Sequence, residues 1–289
     1  MWLILGFLIV VVSVLGAFVM GGGKPYVLLH LSEFVCIGGI AIGILIVSSP
    51  PGLLRGIFRK VRDSFTGKSA DAEDYMEMLK TLYELFVLGR RNGLIALEDH
   101  MLDPQNSSIF QKYPKFLADR EKVEFLCNGL KPLISGRIKP EQLDGLMQAE
   151  LDAKAEENDG PVHILQLVGD SLPGIGIIAA VLGIINTMAA ITDGPTKVGQ
   201  RVAAALTGTF LGVLGAYGFV NPLAHRIKMA NINEMQFFVA IQKGVVSFVN
   251  GMPPLMAVEV ARRSLDTRLL PDSDEMEMLL KGLNSQIGR

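Results

Sequence analysis

The fold is decided by two apolar stretches, LPGIGIIAAVLGIINTMAAIT at residues 172–192 and VAAALTGTFLGVLGAYGFVNPLA at residues 202–224, joined by a polar turn at 193–201. Each is long enough to cross a bilayer, since about 20 apolar residues span the hydrocarbon core as a helix. Both are rich in Gly, Ala and Thr, and neither holds a carboxylate at mid-depth. Such helices can pack closely and line a path, but a proton needs a titratable group supplied from elsewhere.

Two further spans are predicted near the amino terminus, at Trp2–Met20 and at residues 32–48, the second ended by Pro50-Pro51. A cleaved signal peptide is the alternative for the first, but it lacks a basic leading region and Gly21-Gly22-Gly23 leads directly into the next span. The chain has 289 residues, 49% of them hydrophobic, and a mean hydropathy of +0.37. The sequence therefore predicts an all-α membrane protein with four transmembrane helices and a large helical cytoplasmic domain.

Basic residues predict the orientation, because they accumulate on the cytoplasmic side of a membrane. They follow the second and fourth spans and are sparse at the two hairpin tips; those after the spans are Arg55, Arg59, Lys60, Arg62, Arg226 and Lys228. We expect a multi-pass protein of the bacterial inner membrane with both termini in the cytoplasm. The expected domains are a transmembrane hairpin at 1–48, a cytoplasmic helical domain at 49–163, a second transmembrane hairpin at 164–225 and a cytoplasmic helical tail at 226–289.

The cytoplasmic segments show helical spacing. Apolar residues recur every three or four positions from Tyr75 to Phe86, acids stand at 71, 73 and 74 where a helix begins, and Asn92-Gly93 ends the pattern. Further helices are predicted at 94–101, 120–135, 140–157, 234–250 and 254–268.

Polar groups within the spans are few. Glu33 and Asp170 are the acids near the spans, and their end positions predict that both reach the interface. Stripes of small residues include Gly176 and the Gly208-x-x-x-Gly212 motif. Packing between the third and fourth spans explains part of them, and the excess over one contact face favours a further helix packed against the hairpin. Pro173 and Pro222 lie at similar depth; a first-turn position is the alternative for Pro173.

Enzymatic and nucleic-acid functions have little support. The net charge is −2, the four histidines are scattered without metal-ligand spacing, and no Ser-His-Asp set or phosphate loop is present. Gly174-x-Gly176 imitates a dinucleotide motif but has no preceding strand. We expect no enzyme activity, no metal, no cofactor and no nucleic-acid partner.

The chain resembles the MotA/TolQ/ExbB superfamily, and within it flagellar stator subunits of the MotA type, over essentially its whole length. The resemblance is carried by LPGIGI at 172–177 with Ala180 and Gly183, by LTGTFLG at 206–212 and by Asn221-Pro222. It implies a ring of five chains around two copies of a MotB-type, single-span, peptidoglycan-binding subunit that carries the ion-binding aspartate. That partner would supply the carboxylate missing here, and membrane lipid would surround the assembly.

The resemblance also implies roles for individual residues. Arg90 and Glu98, with Arg91 and Glu150, would contact the rotor switch protein FliG. Pro173 and Pro222 would couple protonation to movement. The ion path would be lined by Thr209, Ala180, Thr187 and Tyr217. Sodium-driven relatives usually place a threonine where Ala180 stands, so the translocated ion is predicted to be H+.

Two alternatives remain. The first is a TolQ/ExbB-like energiser of an outer-membrane process, although those relatives lack the additional amino-terminal hairpin. The second is a passive structural membrane protein without ion flux.

Overall fold

The computed structural model describes residues 2–66, 71–188, 194–265 and 270–287, with side chains given as far as residue 283. Four helical stretches in this part of the chain are long and apolar enough to cross a membrane: Trp2–Met20, Pro25–Val47, Pro140–Met188 and Pro195–Val249. These correspond to the four predicted spans. The chain divides into two compact units, one made of Met1–Lys68 with Glu157–Ala230 and the other of Ser69–Glu156 with Asn231–Arg289.

The helices follow in chain order. They are α1 (Trp2–Met20), α2 (Leu31–Val47), α3 (Pro51–Thr66), α4 (Ala72–Asn92), α5 (Glu98–Leu102), α6 (Pro114–Ala118), α7 (Arg120–Ile134), α8 (Pro140–Met188), α9 (Pro195–Leu214), a π-helical segment (Gly215–Val220), α10 (Asn221–Val249), α11 (Pro254–Arg262) and α12 (Ser273–Ile287). Short 3-10 turns connect several of them, including Pro25–Leu28 and Leu94–Leu97.

Several helix boundaries differ from the sequence prediction. The helix predicted at 254–268 ends at Arg262, and the helix predicted at 234–250 is the later part of α10, which begins at Asn221. The predicted turn at 193–201 is wrong over most of its length, because α9 begins at Pro195 with Gly194 as its amino-terminal cap. Proline is well tolerated there, since the first helical turn needs no backbone donor. The helix predicted at 140–157 is instead the start of α8, which continues through Pro161 and Pro173 to Met188. Residues 189–192 of the third predicted span, Asp193, and positions 266–268 of the last predicted helix lie outside the described residues.

The second unit has a conventional apolar core built around α4. This helix begins with reciprocal hydrogen bonds between Asp71 and Asp74, a capping box that satisfies two free backbone donors. Its apolar face is fully buried against α10, where Phe86 stacks on Phe248 with ring centroids 4.5 Å apart. The spacing of apolar residues predicted this face, and the observed helix confirms it.

A buried carboxylate joins α4 to the segment before α6. Glu84 is 4% exposed, and it accepts hydrogen bonds from the Tyr113 hydroxyl at 2.7 Å and the Lys112 ammonium at 2.6 Å. Burial and the neighbouring Glu84 raise the pKa of Tyr113, so the phenol stays protonated as the donor. Because both Glu84 oxygens are satisfied, the buried charge fixes this segment against α4.

Candidate functional site

The close contact predicted for the second hairpin is present between α8 and α9. A Cβ added at Gly176 would lie 2.9 Å from the carbonyl oxygen of Gly208 and 3.2 Å from the Cα of Thr209. A Cβ at Gly212 would lie 2.8 Å from the Cα of Gly176. The two backbones approach to a distance that only glycine permits, which is the packing mode of helices in lipid.

The further helix that the small residues predicted belongs to the same chain. A Cβ at Gly208 would lie 2.8 Å from Oε2 of Glu33, in the first turn of α2, and 3.1 Å from Ala179 on α8. Glu33, whose end position lets it reach the membrane interface, is 6% exposed and therefore buried by the neighbouring helices. Sequence position alone did not predict this burial, because the first turn of a span is exposed only when no neighbouring helix covers that turn.

The hydroxyls of the spans divide into two kinds. Thr187 donates to the carbonyl of Gly183 at 2.7 Å, and Thr207 donates to that of Ala203 at 2.9 Å, so each bonds its own helix one turn back. Within the described part of the chain, the Thr209 hydroxyl has no hydrogen-bond partner, and its residue is half-buried. The Thr209 hydroxyl therefore remains available to another group.

Two of the four predicted path residues lie together. Thr209 stands opposite Gly176, and the backbone nitrogen of Ala180 lies 3.4 Å from a Cβ placed on Gly208, so both border the same glycine contact. Thr187 is two helical turns beyond Ala180 and is 6% exposed. Tyr217 lies two turns beyond Thr209, within the π-helical segment, and is 66% exposed on the isolated chain.

A cavity of about 520 Å³ opens beside the glycine contact, near the connection between α8 and α9. It is lined by the start of α2, the end of α8 and the start of α9, including Glu33, Gly183, Asn186 and Arg201. The Arg201 guanidinium donates to the backbone carbonyl of Asn186, which holds the first turns of α9 against α8. Glu33 is the carboxylate of this cavity lining.

The two prolines occupy unequal settings. Pro173 lies inside α8, so the first-turn alternative is wrong and the helix continues on both sides of a residue without a backbone donor. Pro222 is the second residue of α10, which begins at Asn221 directly after the π-helical segment Gly215–Val220. Wider π turns commonly accommodate a disturbed hydrogen-bond ladder and are frequent at functional positions. A proline inside an apolar run indicated an irregular helix at this place, although the sequence could not predict that the irregularity is a π-helical segment.

A hydrogen bond links the helices that carry the prolines. The side-chain amide of Asn221 donates to Oδ1 of Asp170 at 3.0 Å, and its carbonyl Oδ1 is buried without a donor among the described residues. Asn221 directly precedes Pro222, and Asp170 lies one turn before Pro173. Sequence analysis noted Asp170 as an acid near a span end, but it did not pair it with Asn221, 51 residues away.

In the second unit, Arg90 and Glu98 each follow a residue that takes part in one packing contact. A Cβ at Gly89 would lie 3.2 Å from Cδ1 of Leu97, so the end of α4 and the start of α5 are in contact. Arg90 and Glu98 are the next residues in each case, and both are exposed. No ion pair involves either of them in the described part of the chain. Both charges are therefore exposed, each one residue beyond this packing contact.

The other two predicted contact residues differ. Arg91 is exposed in the last turn of α4. Glu150 is half-buried on α8, and this burial raises the pKa of its carboxyl. No hydrogen bond or ion pair of the described residues links Glu150 to Arg90 or Glu98. Arg90, Glu98 and Arg91 thus lie on one stretch of chain, while Glu150 stands on another helix.

These features define a class: a helical membrane protein whose closely packed hairpin has no acid at 172–192 or 202–224 and suits ion conduction rather than enzyme catalysis. Among the described residues, no three His, Cys, Asp or Glu side chains cluster to hold a metal. Family models agree. A Motility protein A N-terminal model matches residues 4–93, and a MotA/TolQ/ExbB proton channel family model matches residues 118–238.

Individual relatives support the same family. Motility protein A of Salmonella typhimurium is 34% identical over 277 residues, covering 96% of this chain and 94% of the relative. Chemotaxis protein LafT of Vibrio parahaemolyticus is 34% identical over 276 residues, covering 96% of this chain and 97% of the relative. The chain belongs to the MotA/TolQ/ExbB proton channel family and is a flagellar stator subunit of the motility protein A type.

Solved structures share the fold. The structure of MotAB from C. jejuni matches with a TM-score of 0.76 at 22% identity, covering 91% of this chain and 95% of that chain. The MotAB stator complex of Bacillus subtilis matches with a TM-score of 0.72 at 22% identity, covering 95% of this chain and 98% of that chain. The Motility protein A N-terminal model matches the additional amino-terminal hairpin, which TolQ/ExbB-like energisers lack. This match favours the stator subunit over the energiser of an outer-membrane process.

Proposed function

We propose that the chain assembles with a MotB-type single-span subunit, anchored to peptidoglycan, whose aspartate accepts the proton, because the apolar stretches of α8 and α9 hold no acid. The observation that carries the proposal is the hairpin of α8 and α9. It contains no acid from residue 172 to 192 or from 202 to 224, yet it keeps the Thr209 hydroxyl unpaired beside a glycine contact. A neutral hydroxyl can solvate a transferred proton or donate to a carboxylate, but it cannot replace one.

The proposed assembly has five copies of this chain around two copies of the partner. Exposed apolar residues on α1, α2, α8 and α9 require cover by lipid or by other helices. The solved structures that share this fold are MotAB complexes, and we propose a MotB-type partner because of that similarity. We propose H+ as the ion because Ala180, beside the path, offers no side-chain oxygen to replace the hydration shell of sodium.

Force would be transmitted along α8. Protonation of the partner's aspartate would change the arrangement at Pro173 and Pro222, whose helices are joined by Asp170 and Asn221. Because α8 is continuous from Pro140 to Met188, a change of direction at Pro173 moves its earlier residues. One charge crossing 100 mV releases roughly 2.3 kcal/mol, enough to bias two helix arrangements by well over tenfold.

The proposed output is contact between the exposed pair Arg90 and Glu98, assisted by Arg91 and Glu150, and the rotor switch protein FliG. Two exposed opposite charges can select a partner with complementary charges and exclude the reversed register. In the proposed orientation, residues 49–163 and 226–289 and both termini lie in the cytoplasm, where the rotor is. The basic residues after the second and fourth spans support this orientation.

The test is torque in a motile bacterium that lacks its own stator genes. The chain and its aspartate-bearing partner, expressed together in sodium-free medium, should restore rotation of a bead attached to the flagellum, and a protonophore should stop it. The chain expressed with an Asp→Asn partner is the matched control and should leave the bead still. Rotation with the control partner, or rotation that depends on sodium, would contradict the proposal.

A further inference from the structure

Helix α3 has a composition unlike that of the spans around it. It begins at Pro51, four residues after α2 ends at Val47, and runs to Thr66. Its sequence PGLLRGIFRKVRDSFT contains four basic residues and one acid, Asp63, together with several large apolar residues. At helical spacing the apolar residues occupy one side and the arginines the other, so α3 is strongly amphipathic.

Part of the apolar side is used within the first unit. Ile57 is 2% exposed, and Leu53 lies 3.1 Å from the place that a Cβ on Gly160 of α8 would take. The Lys60 ammonium donates to the side-chain carbonyl of Asn158, also on α8, at 2.7 Å. These contacts fix which face of α3 is turned toward its own chain.

The remaining apolar residues are uncovered. Phe58 is 66% exposed and Phe65 is 41% exposed, although Phe65 also meets the ring of Phe7 on α1 at 6.4 Å. Leu54 lies between Ile57 and Phe58 on the helical wheel and is half-exposed. The uncovered strip therefore borders the packed face and continues toward the arginines.

The charged side is cationic. Arg55, Arg59 and Arg62 are exposed, and the single acid of the helix, Asp63, pairs with Arg62 at 3.1 Å. Arg55 and Arg59 follow each other by one turn and have no ion-pair partner among the described residues. Arg55 and Arg62 lie next to Phe58 on the helical wheel. Cations beside an exposed aromatic strip are the pattern of a helix lying in a bilayer surface that carries negative charge.

We propose that α3 is an interfacial helix that binds anionic phospholipid headgroups, with Arg55 and Arg59 contacting the phosphates and Phe58 inserted among the upper acyl chains. The position of α3 directly after a membrane span sets the depth of the helix. Anionic lipid is favoured over a protein partner because α3 begins four residues after a membrane span and has its unpaired arginines beside the exposed aromatic strip. Through Leu53 and Lys60, the bound helix would hold α8 against the membrane surface before Pro173. The proposal does not depend on the ion path or on the rotor contact.

The test uses the single tryptophan of the sequence, Trp2. In the full-length chain, Trp2→Phe combined with Phe58→Trp places one fluorescent reporter on the exposed strip. The protein is reconstituted in nanodiscs that contain equal fractions of phosphatidylglycerol and phosphatidylcholine, and one or the other is brominated in the upper acyl chain. We expect quenching by both lipids, with brominated phosphatidylglycerol quenching at least roughly twofold more strongly.

Arg55→Gln with Arg59→Gln should bring the two quenching values together while fluorescence remains quenched. Arg137→Gln with Lys139→Gln removes the same charge from exposed positions of the second unit and should leave the preference unchanged. High salt should also remove the preference, since it screens surface charge. Equal quenching in the protein with all its arginines, a preference that survives loss of Arg55 and Arg59, or no quenching by either lipid would overturn the proposal.

Discussion

Asn221 donates a hydrogen bond of 3.0 Å to Asp170, and this bond joins the residue before Pro222 to the helical turn before Pro173. Pro173 and Pro222 weaken the backbone hydrogen bonding of their own helices, because each lacks a backbone donor. The Asp170–Asn221 bond is thus a side-chain link between two helices at the level where both are weakened. An element of this kind can stabilise one of two helix arrangements.

Removing this link should alter torque without preventing insertion. Asn221→Ala and Asp170→Ala each remove a bond worth about 1 kcal/mol, which shifts a balance between two arrangements by about fivefold. We expect reduced stall torque at a normal amount of protein in the membrane. The double variant should be no worse than the more severe single variant. Additive losses would show that the two residues act separately.

The glycine contact gives a prediction about stability. Gly176→Ala places a methyl group 2.9 Å from the carbonyl oxygen of Gly208, and backbone atoms must move to admit it. Overpacking of this kind costs about 1–3 kcal/mol, so the thermal unfolding midpoint of the detergent-solubilised chain should fall. Gly174→Ala is the matched control two residues away, where a Cβ meets nothing within 4 Å. Equal midpoints for the two variants would contradict the close approach of α8 and α9.

The threonines give a prediction about the ion path. Thr209→Val removes a hydroxyl without a protein partner, and it should lower partner-dependent proton flux, whereas Thr209→Ser should retain most of it. Thr207→Val removes a hydroxyl that bonds its own helix at 2.9 Å, so its effect on flux should be small. The measurement is acidification of vesicles that contain the complex. A larger loss in Thr207→Val than in Thr209→Val would place the path elsewhere.

Charge reversal tests the rotor contact. Arg90→Glu and Glu98→Lys should each impair swimming while flux and membrane insertion stay normal, because both side chains are exposed and free of ion pairs in the described structure. Arg137→Glu makes the same charge change at another exposed position of the second unit and should swim normally. Normal swimming in both test variants would reject the assignment; so would an equal defect in the control.

Sequence patterns predicted the structural elements that depend on residues close together in the chain. Runs of apolar residues identified the four spans, and the spacing from Tyr75 to Phe86, with acids before it, identified α4 and its start. The small residues of the second hairpin correctly predicted close helix contact. Each of these depends on neighbours within a few turns, which a single sequence displays.

The remaining features depend on residues far apart in the chain. The burial of Glu33 requires α9 to lie over the start of α2, and the bond between Asp170 and Asn221 joins positions 51 residues apart. The continuity of α8 through Pro173 was missed because tertiary packing can retain a helix that local propensity would end. The π-helical segment before Pro222 has no characteristic amino-acid composition by which a sequence could predict it. Subunit number is a matter of assembly, which no pattern within one chain determines.

The central claim is that this chain provides the path while a second subunit provides the titrating group. Its most direct measurement is proton uptake into vesicles under an imposed membrane potential, with the chain alone, with an aspartate-bearing single-span partner, and with the Asp→Asn form of that partner. The account predicts uptake only with the aspartate-bearing partner. Uptake by the chain alone, or equal uptake with the Asp→Asn partner, would contradict it.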